Sequence, residues 1–300
     1  MLTRPASADS TLPPIPRALL VAALAFGFCL LARLVSHGDA VRLLFWPATG
    51  VAFAFGWRHG LAWTAPAAIG AFAYGALAYR DAGLAAAAAA APAVGAALPI
   101  VVLRRLGDWK PAEYRLEAGV RFPARAAPVG APAAAPAPGA AARAPPGAAA
   151  PPPPPAHPAA WLSAALGTTL VAPAVLAWID DSLPQADAGD QQVPIFDLSG
   201  LLMTLVVAGG SLLLSSIGQV EYAYVLQFVF FPIVAWTATR MDERANALTL
   251  LLSALPLLAT RAYQVPIAGD APYRAIEASV MVFCAVVVAL VLQAVAADRR

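Results

Sequence analysis

The sequence predicts an all-α fold, a polytopic helical bundle that crosses a membrane about nine times. Three observations carry this. The chain is 60% hydrophobic and 12% charged, whereas soluble chains sit near about 45–50% apolar and about 25% charged. Its mean hydropathy is +0.70. The apolar residues gather in runs of roughly twenty, the length that crosses the hydrocarbon core of a bilayer as a helix. The runs do not alternate in polarity, which argues against a membrane β-barrel.

The expected spans, in order, are Arg17–Val35, Leu43–Trp57, Leu61–Tyr79, Leu84–Leu103, Ala159–Ile179, Leu198–Ile217, Tyr222–Thr239, Ala245–Tyr263 and Ile276–Ala297. The first follows a polar, Pro-containing tail over residues 1–16, an outline shared with a cleaved leader. The many later spans favour a retained helix. The second run, "LLFWPATGVAFAFGWRHG", is short and starts with a break at Pro47. Trp46-Pro47 reads either as a ligand-facing helix break or as an interfacial Trp with Pro at the first turn, where its missing N–H costs nothing. Further Pro residues punctuate later spans (Pro66, Pro92, Pro99, Pro173, Pro232, Pro256). Membrane helices tolerate them when neighbouring helices satisfy the freed carbonyls, so a packed bundle is implied. Abundant Ala and Gly allow backbones to approach closely.

Orientation follows from Lys and Arg in short loops. Arg104, Arg105, Lys110, Arg115 and Arg121 form the richest loop, which places it and the N-terminus in the cytoplasm, with Arg58 on the same side. From Pro123 to Ala160 every residue except Val129 and His157 is Ala, Pro, Arg or Gly. Such a tract cannot form a lipid-embedded helix. One reading is a Pro/Ala loop. The other is a tenth span lost to a reading-frame shift in a GC-rich gene. The basic pairs Arg240/Arg244 and Arg299/Arg300 fall inside only if the chain crosses between Arg121 and Trp161.

Several site types find no support. The two Cys, Cys29 and Cys284, lie in apolar runs, and the three His are isolated. The sequence therefore points to no metal, no cofactor and no disulfide framework. No Ser/His/Asp, Cys/His or paired-carboxylate arrangement marks a catalyst, so the chain reads as a non-enzyme. Scattered basic residues are topology markers and imply no nucleic-acid partner. Thr168-Thr169 and Ser215-Ser216 read as hydroxyls bonded across helices or to carbonyls of their own helix. Asp39, Glu221 and Glu277 sit near span ends. Asp39 and Arg42 are three residues apart and can pair close to Trp46, which makes Trp46, Pro47, Gly50, Asp39 and Arg42 the candidate ligand-binding set.

Trp46-Pro47-Ala48-Thr49-Gly50, the turn Gly56-Trp57-Arg58-His59-Gly60 and the step Trp63-Thr64-Ala65-Pro66 occur in that order. Trp161–Trp178 follows, and then Tyr224, Pro232, Trp236 and Arg240. In order and spacing these resemble the first membrane-associated sensor (MASE) domain family of bacterial multi-pass input domains. The Trp63 step departs from the family's second Trp-Pro-Gly-like pattern. The resemblance covers most of residues 17–300. It implies a sensory input domain in the bacterial inner membrane, with cytoplasmic termini and a last helix that feeds a cytoplasmic diguanylate cyclase or histidine kinase. It also implies a small ligand or a membrane partner protein, and leaves a homodimer open. No phosphate loop, kinase His box or cyclase Gly-Gly motif stands in the chain, so the output module is expected elsewhere. A small-molecule permease is the alternative, since broken helices are a transporter device, but no inverted repeat is visible. A third reading, a degenerate remnant, rests on the Pro tract and the missing output.

Overall fold

The computed structural model describes residues 14–36, 45–105, 158–179, 195–241, 243–264 and 271–298. Among these residues there is no strand, and a helix overlies each of the nine expected runs. They are α1 (Ile15–Val35), α2 (Pro47–His59), α3 (Thr64–Tyr79), α4 (Ala82–Arg105), α5 (Pro158–Ile179), α6 (Ile195–Ser216), α7 (Val220–Arg240), α8 (Glu243–Gln264) and α9 (Ala271–Asp298). A short 3₁₀ turn, Leu61–Trp63, joins α2 to α3.

Length and apolarity bear out part of the expected span count. Among the described residues, six helical stretches are long and apolar enough to cross a membrane: Ile15–Val35, Leu61–Tyr79, Ala82–Arg105, Leu162–Ile179, Leu198–Ser216 and Val220–Arg240. In α8 and α9 the apolar stretches are shorter, Arg244–Thr260 and Ser279–Gln293. The second run behaves least as expected. Its helix has 13 residues, about 20 Å at helical rise, against a hydrocarbon core of about 30 Å. It is also the wrong kind of surface for lipid, because every residue from Pro47 to Gly56 is buried. The tenth crossing expected within 123–160 lies outside the described residues.

Burial sorts the helices into two groups. In α5 every residue from Leu162 to Ala177 is buried, so this helix is an axle rather than a lipid-facing stave. It packs against α2, α8 and α9. Around α2 stand α1, α3, α4 and α5. The outer helices expose apolar side chains instead. Leu19 and Leu20 of α1, Ile69 and Phe72 of α3, Val206 and Leu213 of α6, and Val225 and Phe228 of α7 all face outward. Water would penalise such a surface, while hydrocarbon suits it, so the fold belongs in a bilayer.

Residue contacts fix helix direction. Arg104, at the end of α4, donates to the carbonyls of Gly56 and Trp57 at the end of α2 (3.3 and 2.8 Å). At the other end of α2, Trp46 N–H donates to Ser163 O near the start of α5 (3.0 Å). Gly50 then lies against Gly167 and Val171, further along α5. So α2 and α5 run parallel. The chain consequently leaves α4 at one end of the bundle and enters α5 at the opposite end. Side-specific reporters inserted after Arg105 and before Pro158 are expected to report opposite sides of the membrane. The same side for both would contradict this arrangement.

Candidate ligand-sensing site

The site grows from the physics of a helix start. Pro47 occupies the first position of α2, where its missing N–H leaves nothing unsatisfied. The Trp46 side chain makes no cap; its backbone N–H goes to Ser163 O instead. The next orphan donor, Ala48 N–H, interacts with Cys29 of α1. A helix start of this kind is anchored by its neighbours rather than by its own side chains.

Two glycines permit that anchoring. A Cβ on Gly167 would collide with the Trp46 carbonyl oxygen and stand 2.5 Å from its carbon. A Cβ on Gly50 would collide with Gly167 O and stand 2.7 Å from Val171 Cβ. Backbone therefore touches backbone along the first turn of α2.

The Trp46 ring points into protein. Its edge meets Tyr74 of α3 in a T-shaped contact, with centroids 6.0 Å apart. It also packs against a small cluster made by Ala91 of α4 and Ala164 and Ala165 of α5. Phe283, in the middle of α9, packs against the same cluster. Of the two readings of Trp46-Pro47, the structure shows Pro at the first turn of α2 and a partly buried Trp46 side chain packed among helices.

Two buried polar atoms here find no hydrogen-bond partner among the described residues: Trp46 Nε1 and Thr49 Oγ1. An unmade bond in such a place costs about 1–3 kcal/mol. Thr49 contrasts with Thr168 and Thr169, which bond the carbonyls of Ala164 and Ala165 at 2.9 Å, as expected of helix threonines. An indole N–H only donates and a hydroxyl donates or accepts, so between them the two atoms offer both kinds of hydrogen bond. Of the expected site residues, Trp46, Pro47 and Gly50 come together here. Asp39 and Arg42 lie outside the described residues. Glu221 is exposed at the start of α7, and nothing in the structure draws it to the site. The side chain of Glu277 lies outside the described residues. Sequence reasoning missed Thr49, Ser163, Gly167 and Phe283. Among the described residues no cluster of metal-ligating side chains occurs.

The opposite end of α2 is held by charge and aromatic stacking. The Arg104 guanidinium lies 5.6 Å from the Trp57 ring centroid while it caps the last carbonyls. Trp57 stacks on Phe53 (6.1 Å) and Trp63 on Phe55 (6.1 Å), with His59 4.9 Å from Trp63. Burial, and then the positive charges of Arg58 and Arg17, hold the His59 imidazole below its ordinary value.

The comparisons with known proteins return one finding. The family model MASE1, membrane-associated sensor domain 1, matches residues 17–300. No curated protein and no solved structure matches the chain.

Two measurements check this geometry. Gly167→Ala is expected to destabilise the bundle by about 1–3 kcal/mol, because the added carbon meets backbone that cannot step aside. Gly209→Ala is the control, since nothing lies within 4 Å of a Cβ there. Equal thermal unfolding midpoints for the two would refute the contact. For His59, the folded-state value lies below the unfolded one of 6.5, so the unfolded chain takes up the proton first on acidification. Its contribution is intact above that value and is lost as pH falls through it. His59→Gln is expected to reduce the drop in thermal midpoint between about pH 7.5 and about pH 5.5, the range in which histidine titrates.

Proposed function

The chain belongs to the MASE1 family of membrane sensory input domains, and on that premise we propose that it senses a small ligand at Trp46 and relays the state of that site through α9 to a cytoplasmic output module. One observation carries the relay: Trp46 and Phe283 of the last helix both pack against the small cluster of Ala91, Ala164 and Ala165. Methyl groups in contact have almost no freedom to absorb a displacement, so a shift of the indole is passed to its far side. The ligand engages Trp46 Nε1 and Thr49 Oγ1. Pro47 and Gly50 set the helix start close against α5, and Asp39 and Arg42 supply charge on the preceding segment. Binding acts by population shift between two packings of the bundle. The output is a diguanylate cyclase or a histidine kinase on the cytoplasmic side of the bacterial inner membrane, where both termini lie.

The opposed ends of α4 and α5 support a further crossing between Arg105 and Pro158. We read the Ala/Pro/Arg/Gly tract at 123–160 as that crossing written in a shifted frame. The nucleotide sequence decides it: absence of an apolar segment in the other frames would sink this reading.

A diguanylate cyclase fused after Arg300 tests the relay. Thr49→Val, Trp46→Phe and Phe283→Ala are each expected to shift cyclic di-GMP output by about fivefold or more, the lower end of typical coupling between sites. Unchanged output from all three, at equal membrane levels, would overturn the proposal. Solute flux into proteoliposomes by the chain alone would point to a permease instead.

A further inference from the structure

A second polar feature lies in the other half of the bundle, at the base of the last helix. Asn246, near the start of α8, donates from Nδ2 to Gln293 Oε1 on α9 at 2.9 Å. Asn246 is fully buried and Gln293 is 5% exposed. Only half of each amide is used. Asn246 Oδ1 and Gln293 Nε2 are buried and have no hydrogen-bond partner among the described residues. Apolar neighbours flank the pair: Ala247 and Leu250 beside Asn246, and Ala289 and Leu290 beside Gln293, belong to the buried apolar set.

The two orphans are complementary. One is an acceptor and the other a donor, and they sit on the two partners of a bond already made. Two amides can also pair reciprocally through two antiparallel N–H···O bonds, which satisfies all four atoms. The present one-bond pairing and the two-bond pairing use the same residues and differ by rotation of the terminal amides and a small shift of α9 against α8. A half-satisfied pair adds little to stability, since unmade buried bonds offset the one that is made. Its use lies in directional pairing, which allows discrete settings of the interface rather than a continuum.

We propose that Asn246 and Gln293 form a two-position latch on the output helix, with one bond in the arrangement seen here and two in the alternative signalling state. This rests on the sensory reading above and names where its second state is stored. The latch lies on the α8–α9 contact, and α9 is the helix that also meets the Trp46 cluster through Phe283.

The test needs no output module. In lipid nanodiscs, the full chain carries spin labels on Cys284 and on Leu248→Cys, in a Cys29→Ala background. Two distance populations are expected with the native amides. One population is expected in Asn246→Leu/Gln293→Leu, which removes both orphans. The exchanged pair Asn246→Gln/Gln293→Asn keeps two amides and is expected to restore two populations, which separates the latch from a general packing defect. A single distance with the native amides overturns the latch, as do two populations that persist in the Leu pair. Either result leaves the sensory reading standing. Two populations that respond as expected, with a fused cyclase insensitive to Thr49→Val, Trp46→Phe and Phe283→Ala, would overturn the sensory reading while keeping the latch.

Discussion

The contact on which the rest of the bundle depends is the one between the first turn of α2 and the first half of α5. Gly50 and Gly167 bring the two backbones together, and the Trp46 N–H donates to Ser163. Everything else about α2 follows from this. A helix of about 20 Å is too short to span a bilayer by itself, so it needs a protein sheath, which α1, α3, α4 and α5 provide. A sheathed helix has no use for large apolar side chains on every face, and its sequence is accordingly rich in Ala and Gly. Its terminal groups find partners in protein. Pro47 removes one donor, Cys29 meets another, and Arg104 takes two carbonyls at the far end.

That arrangement explains which parts of the chain were legible. The class of fold and the positions of the helices follow from apolar runs, a local property. Trp46-Pro47 was legible because Pro at a helix start has a position-specific physical meaning. The hydroxyl pattern of Thr168-Thr169 was legible for the same reason. Gly167 was not, because it is one of 21 glycines in an Ala-rich chain and its partner is more than a hundred residues away. Thr49 was overlooked because a threonine in a helix ordinarily bonds a carbonyl of its own helix, and only the structure shows that this one does not. The second run was taken for a span on hydropathy. Hydropathy does not separate a lipid-facing helix from one buried in protein, since both exclude charge.

The two halves of the bundle handle polar groups differently. In the first half the hydrogen-bonding groups at the ends of α2 are absorbed by neighbouring backbone and by Arg104, and small residues close the seams. Such a seam has one good geometry, because removing the tight contact loses dispersion energy over many atoms at once. In the second half, polar side chains cross the seams. Ser211 Oγ donates to Ala223 O at 3.3 Å and accepts from Gln227 Nε2 at 3.2 Å between α6 and α7, and Asn246 meets Gln293 between α8 and α9. Interfaces joined by directional bonds can trade one set of partners for another at small net cost, since a typical internal hydrogen bond contributes only about 1 kcal/mol.

A relay needs both kinds of seam. If every contact were as close as Gly50 on Gly167, a displacement at Trp46 would be resisted rather than transmitted. If every contact were a loose polar one, it would be dissipated within a helix or two. On the proposed relay, the rigid contacts stand at the sensing end and the half-made amide pair near the exit. Trp46 and Phe283 pack against one small alanine cluster, and about ten residues further along α9, roughly 15 Å at helical rise, stands Gln293. A helix is stiff over that length, so motion imposed at Phe283 reaches Gln293 as translation or rotation of the whole segment. The position of the half-made amide pair, close to the end of the last helix, is where such a rigid-body motion is most easily converted into a choice between two states.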